Sequence, residues 1–351
     1  MNPDRLPDSV AGVMGRLVDA SAGERLIVSV AALLTAVLLG GVVTLVAGMF
    51  AECSALFCYN PLAVYRYLFL APLFDSFVLQ QTLKNSALLL FTGLAVAVSF
   101  RAGLFNIGTQ GQMVLGALAT GLVGPALVSV MEPGLVGGVV VILGATIAAG
   151  ITGGVYGAIP GALKAYADAN EVITTIMLNF VAVLVARYLV SGPFNDPNSQ
   201  ANQTPPLPEA AQFPSLVFDP RTDFSLLALL LALVFVAGLY YLLTTTAFGY
   251  DLRTAGIQPA AAEYGGVDAA RTVVSSLTLS GAIGGVGGAV YVLMTLGKFQ
   301  MGVPSYGFDG ITVSILAGNN PVGVVFAALL FGVLKSGSTV VAFATDVPPQ
   351  L

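Results

Sequence analysis

From Leu26 to Phe50 the chain runs without a single charged side chain, and it does so again from Phe224 to Tyr250. About 20 apolar residues carry an α-helix across a bilayer core, so each run is long enough to span. A membrane barrel would instead show segments of about ten residues with alternating polarity, and no such pattern occurs. Composition closes the soluble alternative. The 351 residues are 56% hydrophobic and 9% charged, with a mean hydropathy of +0.89, whereas soluble domains carry about 25% charged residues. The fold class that follows is all-α, a polytopic transmembrane bundle of about eight to ten spans with broken helices.

The stretch Met1–Gly23 is polar, and residues 1–25 read as a cytoplasmic tail ahead of a single transmembrane domain over 26–351. The first apolar run is too long for a signal-peptide core and no A-x-A site follows it at once, so it reads as a retained span. Further spans are predicted at 82–100, 109–130, 134–158, 172–191, 224–246, 273–296 and 310–334. Residues 61–79 are apolar but carry Pro61, Arg66, Pro72 and Asp75, which predicts an interfacial or re-entrant piece. Residues 193–223, rich in Pro, Asn and Gln, predict an ordered or semi-ordered extracytoplasmic loop. With the N-terminus inside, Arg5, Arg16, Arg25, Arg101, Lys164, Arg253, Arg271 and Lys335 fall on the inner side. Arg66, Lys84, Arg187, Arg221 and Lys298 fall on the outer side, so the bias has the positive-inside sign.

Glycine contributes 41 residues. The pairs Gly150/Gly154, Gly153/Gly157, Gly157/Gly161, Gly281/Gly285 and Gly284/Gly288 are spaced for close helix packing in lipid. No GxxxxGK[ST] occurs, which excludes nucleotide binding through a P-loop. The absence of histidine excludes Ser-His-Asp chemistry, histidine metal sites and imidazole relays. Cys53 and Cys58 lie in one short stretch after the first span, where a disulfide and two free thiols are both open. A net charge of −5 with few lysines suits a high-salt organism.

Polar clusters inside apolar runs mark functional sites in membrane proteins. In Arg101–Gln112, Gly103, Gly108 and Gly111 permit a backbone break, and Asn106 is placed to cap a helix from Ile107. A broken helix at membrane depth must pack in protein or line a cavity, where its free amides can face a ligand. Asn106, Thr109, Gln110 and Gln112 are therefore candidates for a substrate path. In Asn170–Asn179, the asparagine is an N-cap, and Glu171, Thr174, Thr175 and Asn179 can share one face; Glu171, Thr175 and Asn179 join the candidates. Tyr306–Pro321 again combines glycines, hydroxyls and asparagines and adds Asp309, its position hinting at two related halves. The segment Thr246–Gly266 is too long for a plain connection of about 2–8 residues. Pro259 fits the first turn of a short helix, and Ala260–Ala262 offer a low surface for docking into a cytosolic partner.

The runs GLFNIGTQGQ (103–112), NEVITTIMLN (170–179), FGYDLRTAGIQPAAAEYGGV (248–267), LSGAIGGVGGA (279–289) and GFDGITVSILAGNNPVG (307–323) resemble, in order, the membrane permease subunits of ABC importers. They are similar to the nucleoside or simple-sugar branch of the family that also serves ribose and branched-chain amino acids. The resemblance covers roughly 82–336 and implies a multi-pass subunit of the cell membrane that is not itself an enzyme. It implies a second, homologous permease partner, two cytosolic ATPase subunits that use the ATP, and an extracytoplasmic binding protein, with no cofactor in this chain. Segment 247–272 resembles the ATPase-coupling loop, with Gly249, Arg253, Gly256, Pro259, Ala261 and Gly266 as its candidate residues. The family usually carries a further span beyond the position of Leu351. A path lined by Asn, Gln, Thr and Ser suits neutral polar cargo. The alternatives are a permease for branched-chain amino acids and a self-sufficient secondary transporter or channel using Glu171 or Asp309.

Overall fold

The computed structural model describes residues 22–50, 59–131, 134–216 and 218–345. Most of the expected N-terminal tail lies outside the described residues, as do Cys53 and Cys58. The helices, in chain order, are α1 (Ala22–Met49), α2 (Pro61–Tyr65), α3 (Ala71–Phe74), α4 (Ser76–Arg101), α5 (Thr109–Val128), α6 (Leu135–Ala167) and α7 (Glu171–Ser191). They continue with α8 (Leu226–Thr245), α9 (Ala247–Ile257), α10 (Pro259–Tyr264), α11 (Ala269–Tyr291), α12 (Tyr306–Leu316) and α13 (Pro321–Ala344). A π turn over Arg66–Leu70 joins α2 to α3, and another over Val292–Leu296 extends α11. Among the described residues, seven helices are long and apolar enough to cross a membrane: α4 to α8, α11 with its π turn, and α13. The protein is a polytopic helical bundle.

The chain divides into two compact units. One comprises residues 1–68 and 338–351. Within it the Tyr65 hydroxyl donates to the Val37 carbonyl, and Val64 and Val341 share a small apolar cluster. The other, Phe69–Gly337, holds the main core.

At the centre of the second unit stand α4 and α11. Every residue from Ser86 to Ser99 is buried, as is every residue from Ile283 to Val290. A helix enclosed on all sides by other helices needs no polar face, so neither sequence shows one. Small residues make this enclosure possible. On α6, Gly153, Gly157 and Gly161 face Val274, Leu277, Gly281 and Gly285 of α11 with the two backbones in direct contact. The other face of α11 meets α5 the same way, Gly288 lying against the Met113 carbonyl. Helices α6 and α7 stay largely uncovered and present Leu143, Ile147, Ile151, Phe180 and Leu184 outward, as lipid contact requires.

The apolar run predicted as one span over 310–334 is two helices. Helix α12 ends in a Schellman turn: Gly318 takes φ +60°, the Gly318 N–H donates to Ile315 O at 3.0 Å, and the Asn319 N–H donates to Ser314 O at 2.9 Å. Asn320 then accepts the Val322 N–H at 3.0 Å, and Pro321 opens α13 with its φ already helical. This split moves Lys335, counted above with the inner side, to the fifteenth residue of α13, about 21 Å along its axis. With Lys335 set aside, the expected orientation rests on seven basic residues against five.

Residues 193–223 carry two short 3-10 turns, Glu209–Ala211 and Pro220–Thr222, and are otherwise ordered by pairing. The Thr204 N–H donates to Phe299 O at 2.9 Å, Leu207 N–H to Gly297 O at 2.7 Å and Phe213 N–H to Leu293 O at 2.9 Å. The segment 293–301 after α11 is held by this loop, which buries Leu207 and Ala211 beneath it.

Candidate functional site

Helix α4 stops because residue 103 is glycine. Gly103 adopts φ +70°, the Leu104 N–H reaches back to Ser99 O at 3.0 Å and the Gly103 N–H to Phe100 O at 3.1 Å. That Schellman geometry needs a residue without a Cβ at the left-handed position. Seven non-helical residues, 102–108, separate Arg101 from the start of α5 at Thr109, and the chain is buried at Leu104, Asn106 and Gly108.

Asn106 is not the helix cap expected from the sequence; Gly108 holds that position. Fully buried, Asn106 instead organises the break. Its Oδ1 accepts the Gly108 N–H at 3.0 Å, and its Nδ2 donates to Gln112 Oε1 at 3.0 Å and Ser280 Oγ at 2.8 Å. The Ser280 hydroxyl donates onward to Ala95 O at 2.6 Å, tying the break to both central helices. Asn179 of α7 clamps the other side: its Oδ1 accepts the Gly111 N–H at 2.8 Å and its Nδ2 donates to Ile107 O at 2.9 Å. Gln110 joins the two broken segments, accepting the Gly307 N–H at 2.8 Å and donating to Pro304 O at 3.0 Å. The Thr109 hydroxyl donates to Asn106 O at 3.4 Å, and that of Thr175 to Glu171 O at 2.7 Å.

The structure therefore brings Asn106, Thr109, Gln110, Gln112, Thr175 and Asn179 into one buried cluster. The free amides expected to face a ligand at the break, those of Gly108 and Gly111, are already occupied by Asn side chains, and Gln110 occupies that of Gly307. A buried N–H left unpaired is costly, and these amide oxygens were within reach. Asn179→Leu orphans two backbone groups at about 1–3 kcal/mol each. The expected result is a clear drop in the thermal unfolding midpoint of purified protein; an unchanged midpoint removes Asn179 from the framework.

Glu171 and Asp309 lie apart from this cluster. Glu171 pairs with Lys164 at 3.4 Å beside the α6–α7 turn. Asp309 pairs with Lys335 at 2.8 Å, and Lys335 Nζ stands 4.8 Å from the Tyr306 ring centroid. The Tyr306 hydroxyl donates to Asn85 Oδ1 at 2.6 Å, and Asn85 Nδ2 to Ser336 Oγ at 3.0 Å. Ser280, Asn85 and Lys335 were not among the sequence candidates. A lone lysine or asparagine inside an apolar run was the available signal.

The segment after α8 folds as two short helices around a small core of Ala255, Ala262 and Val267. The six candidates there divide. Gly249 is buried against the Leu242 and Leu243 carbonyls, and the Arg253 guanidinium donates to the Leu243 carbonyl. Gly256, expected on the docking surface, faces inward. A Cβ there would stand 2.7 Å from Ala102 C and 2.8 Å from Arg101 O, so α9 abuts the backbone of the break itself. Pro259, Ala261 and Gly266 are exposed. Beside them project two residues that sequence reasoning passed over, Ile257 at 86% and Tyr264 at 97% exposure.

Residues 78–350 match the family model described as branched-chain amino acid transport system / permease component. The chain is 31% identical over 339 residues to the nucleoside ABC transporter permease protein NupB of Lactococcus lactis subsp. cremoris, covering 93% of this chain and 87% of that protein. It is 33% identical to the guanosine ABC transporter permease protein NupP of Bacillus subtilis, covering 77% and 76% respectively. It is 32% identical to the glucose ABC transporter permease protein TsgB13 of Haloferax volcanii, covering 83% and 77%. No solved structure matches.

Proposed function

The chain belongs to the family of branched-chain amino acid transport system permease components, and from that premise we propose that it is the substrate-conducting membrane subunit of an ATP-driven importer for nucleosides or simple sugars. The observation that carries this reading is the segment 247–264. It presents Ile257, Pro259 and Tyr264 to solvent while Gly256 lies on the backbone at 101–103. A surface with exposed apolar anchors serves a protein partner, and this one is joined directly to the broken helix in the membrane. Hydrolysis of ATP belongs to a cytosolic partner docked there, with the N-terminus of the chain on the same side. A second permease subunit and an extracytoplasmic binding protein complete the assembly. The cargo class rests on the relatives named for nucleoside, guanosine and glucose transport. The buried amides of Asn106, Gln110, Gln112 and Asn179 act as the framework that holds the break open and in register.

The test is uptake by the reconstituted assembly of this chain, its permease partner, ATPase and binding protein. Labelled guanosine or a simple sugar is expected to accumulate only when ATP is supplied. Accumulation at the same rate without ATP overturns the reading in favour of a secondary transporter.

A further inference from the structure

Beside the segment 247–264 the chain is hollow. A cavity of about 440 Å³ opens between the first turns of α9 and α11, lined by Phe248, Asp251, Asp268, Arg271 and Ser275. That is an order of magnitude above the roughly 30 Å³ share of a water molecule, so it has room for a long side chain. Gly266 lines the same cavity two residues past the exposed Tyr264, which makes cavity and apolar anchors one continuous surface.

Both walls are pinned. On α9, Leu252 is fully buried in the main core, Gly249 lies on the Leu242 and Leu243 carbonyls, and the Arg253 guanidinium donates to the Leu243 carbonyl. On α11, Asp268 Oδ1 accepts the Arg271 N–H at 2.9 Å, the Thr272 hydroxyl donates to Asp268 O at 2.8 Å and the Ser275 hydroxyl to Thr272 O at 3.1 Å. The hydroxyls are therefore committed to the chain's own carbonyls. The charges are not: among the described residues, no ion pair involves Asp251, Asp268 or Arg271. Two carboxylates and one guanidinium thus surround one cavity with no pair formed.

The charge balance favours a basic guest. Segments on the inner side of a membrane carry an excess of Lys and Arg as a rule. Residues 247–275 instead set Asp251, Glu263 and Asp268 against Arg253 and Arg271, and Arg253 is folded back on Leu243. An aromatic wall beside two carboxylates suits a guanidinium, which stacks on rings and bonds carboxylates through its planar fork. We propose that the cavity is a socket for an arginine side chain of the ATPase subunit. That guanidinium lies between Asp251 and Asp268 and over Phe248, while Ile257 and Tyr264 seat in the partner, so each protein receives a side chain from the other. This inference rests on the importer reading above and adds what the ATPase must present.

The test reads the Kd of the cognate ATPase for the purified chain with its permease partner, across a salt series. Asp251→Asn combined with Asp268→Asn is expected to raise the Kd at least tenfold at low salt. It should also flatten the salt dependence, which in the wild type weakens binding steadily as the charges are screened. Asparagine caps a helix as well as aspartate does, so α11 keeps its start. Ser275→Trp, which fills the cavity without touching a charge, is expected to raise the Kd as much. A wild-type Kd in either variant, with the protein monodisperse, overturns the socket; where one variant does not stay monodisperse, the other decides. Loss of the ATPase from the Ile257→Asp/Tyr264→Asp variant, with wild-type binding in these two, leaves the importer reading standing and removes the socket alone. A wild-type chain that binds no ATPase removes both.

Discussion

Gly153→Leu is expected to leave no assembled protein in the membrane. A Cβ at Gly153 would stand 2.8 Å from Gly285 Cα and closer still to the Gly281 carbonyl oxygen, and both are backbone atoms of α11. Overpacking costs about 1–3 kcal/mol when side chains can yield. Here two helix axes must part, and α11 also carries the α5 contact at Gly288. The loss therefore approaches the whole stability of an ordinary domain, about 5–15 kcal/mol. Gly150→Ala is the matched control: its Cβ would meet Val286 Cγ2 at 3.3 Å, a methyl that can shift. Size-exclusion profiles of detergent extracts separate the two. A monodisperse Gly153→Leu peak equal to the Gly150→Ala peak shows that the α6–α11 contact is dispensable.

The second large effect is expected at the proposed docking surface. Ile257→Asp combined with Tyr264→Asp should abolish co-purification of the ATPase while the chain still inserts and remains monodisperse. Both side chains project into solvent, so their removal disturbs no internal packing. Buried anchors of this kind contribute about 2 kcal/mol or more each. A joint loss of about 4 kcal/mol weakens association nearly a thousandfold, before the repulsion of two new charges in an apolar contact. Gly256→Ala gives the contrasting result. Its methyl would press on Arg101 O and Ala102 C, so the ATPase should stay bound and hydrolyse ATP while uptake falls. Normal ATPase recovery with the double variant would place the partner elsewhere on the chain.

What the sequence made legible follows from the length over which each signal is summed. Spans α4 to α8 were readable because hydropathy accumulates over some twenty residues and tolerates errors at the ends. The break at Gly103 was readable because a glycine-rich, amide-bearing run inside an apolar stretch has few uses in a membrane. The α12–α13 division was missed because composition is apolar on both sides, and only Gly318, Asn319 and Pro321 punctuate it. Missing that turn put Lys335 at the wrong depth and hid its meeting with Asp309, 26 residues away. Gly256 was assigned outward because a small residue reads the same whether it receives a partner protein or its own chain. Ile257 and Tyr264 went unnoticed because exposure is a property of the fold, and in a chain this apolar two more apolar residues carry no signal. The buried amide cluster was found residue by residue, but its hydrogen bonds run between segments up to 197 positions apart, which no local pattern encodes.

The abutment of Gly256 on residues 101–103 carries a directional consequence. Among the described residues no hydrogen bond or ion pair crosses it; the two backbones simply touch. Such a contact resists compression steeply, while its resistance to separation comes only from the apolar core that Leu252 shares with Ala102 and Leu104. A partner that drove α9 against residues 101–103 would therefore push the start of the break as a piston does, and would pull on it far more weakly in withdrawal. The Arg101 Nε–H bond to Asn319 O, at 2.9 Å, links the C-terminal end of α4 to the α12–α13 turn, so such a push would strain that turn as well.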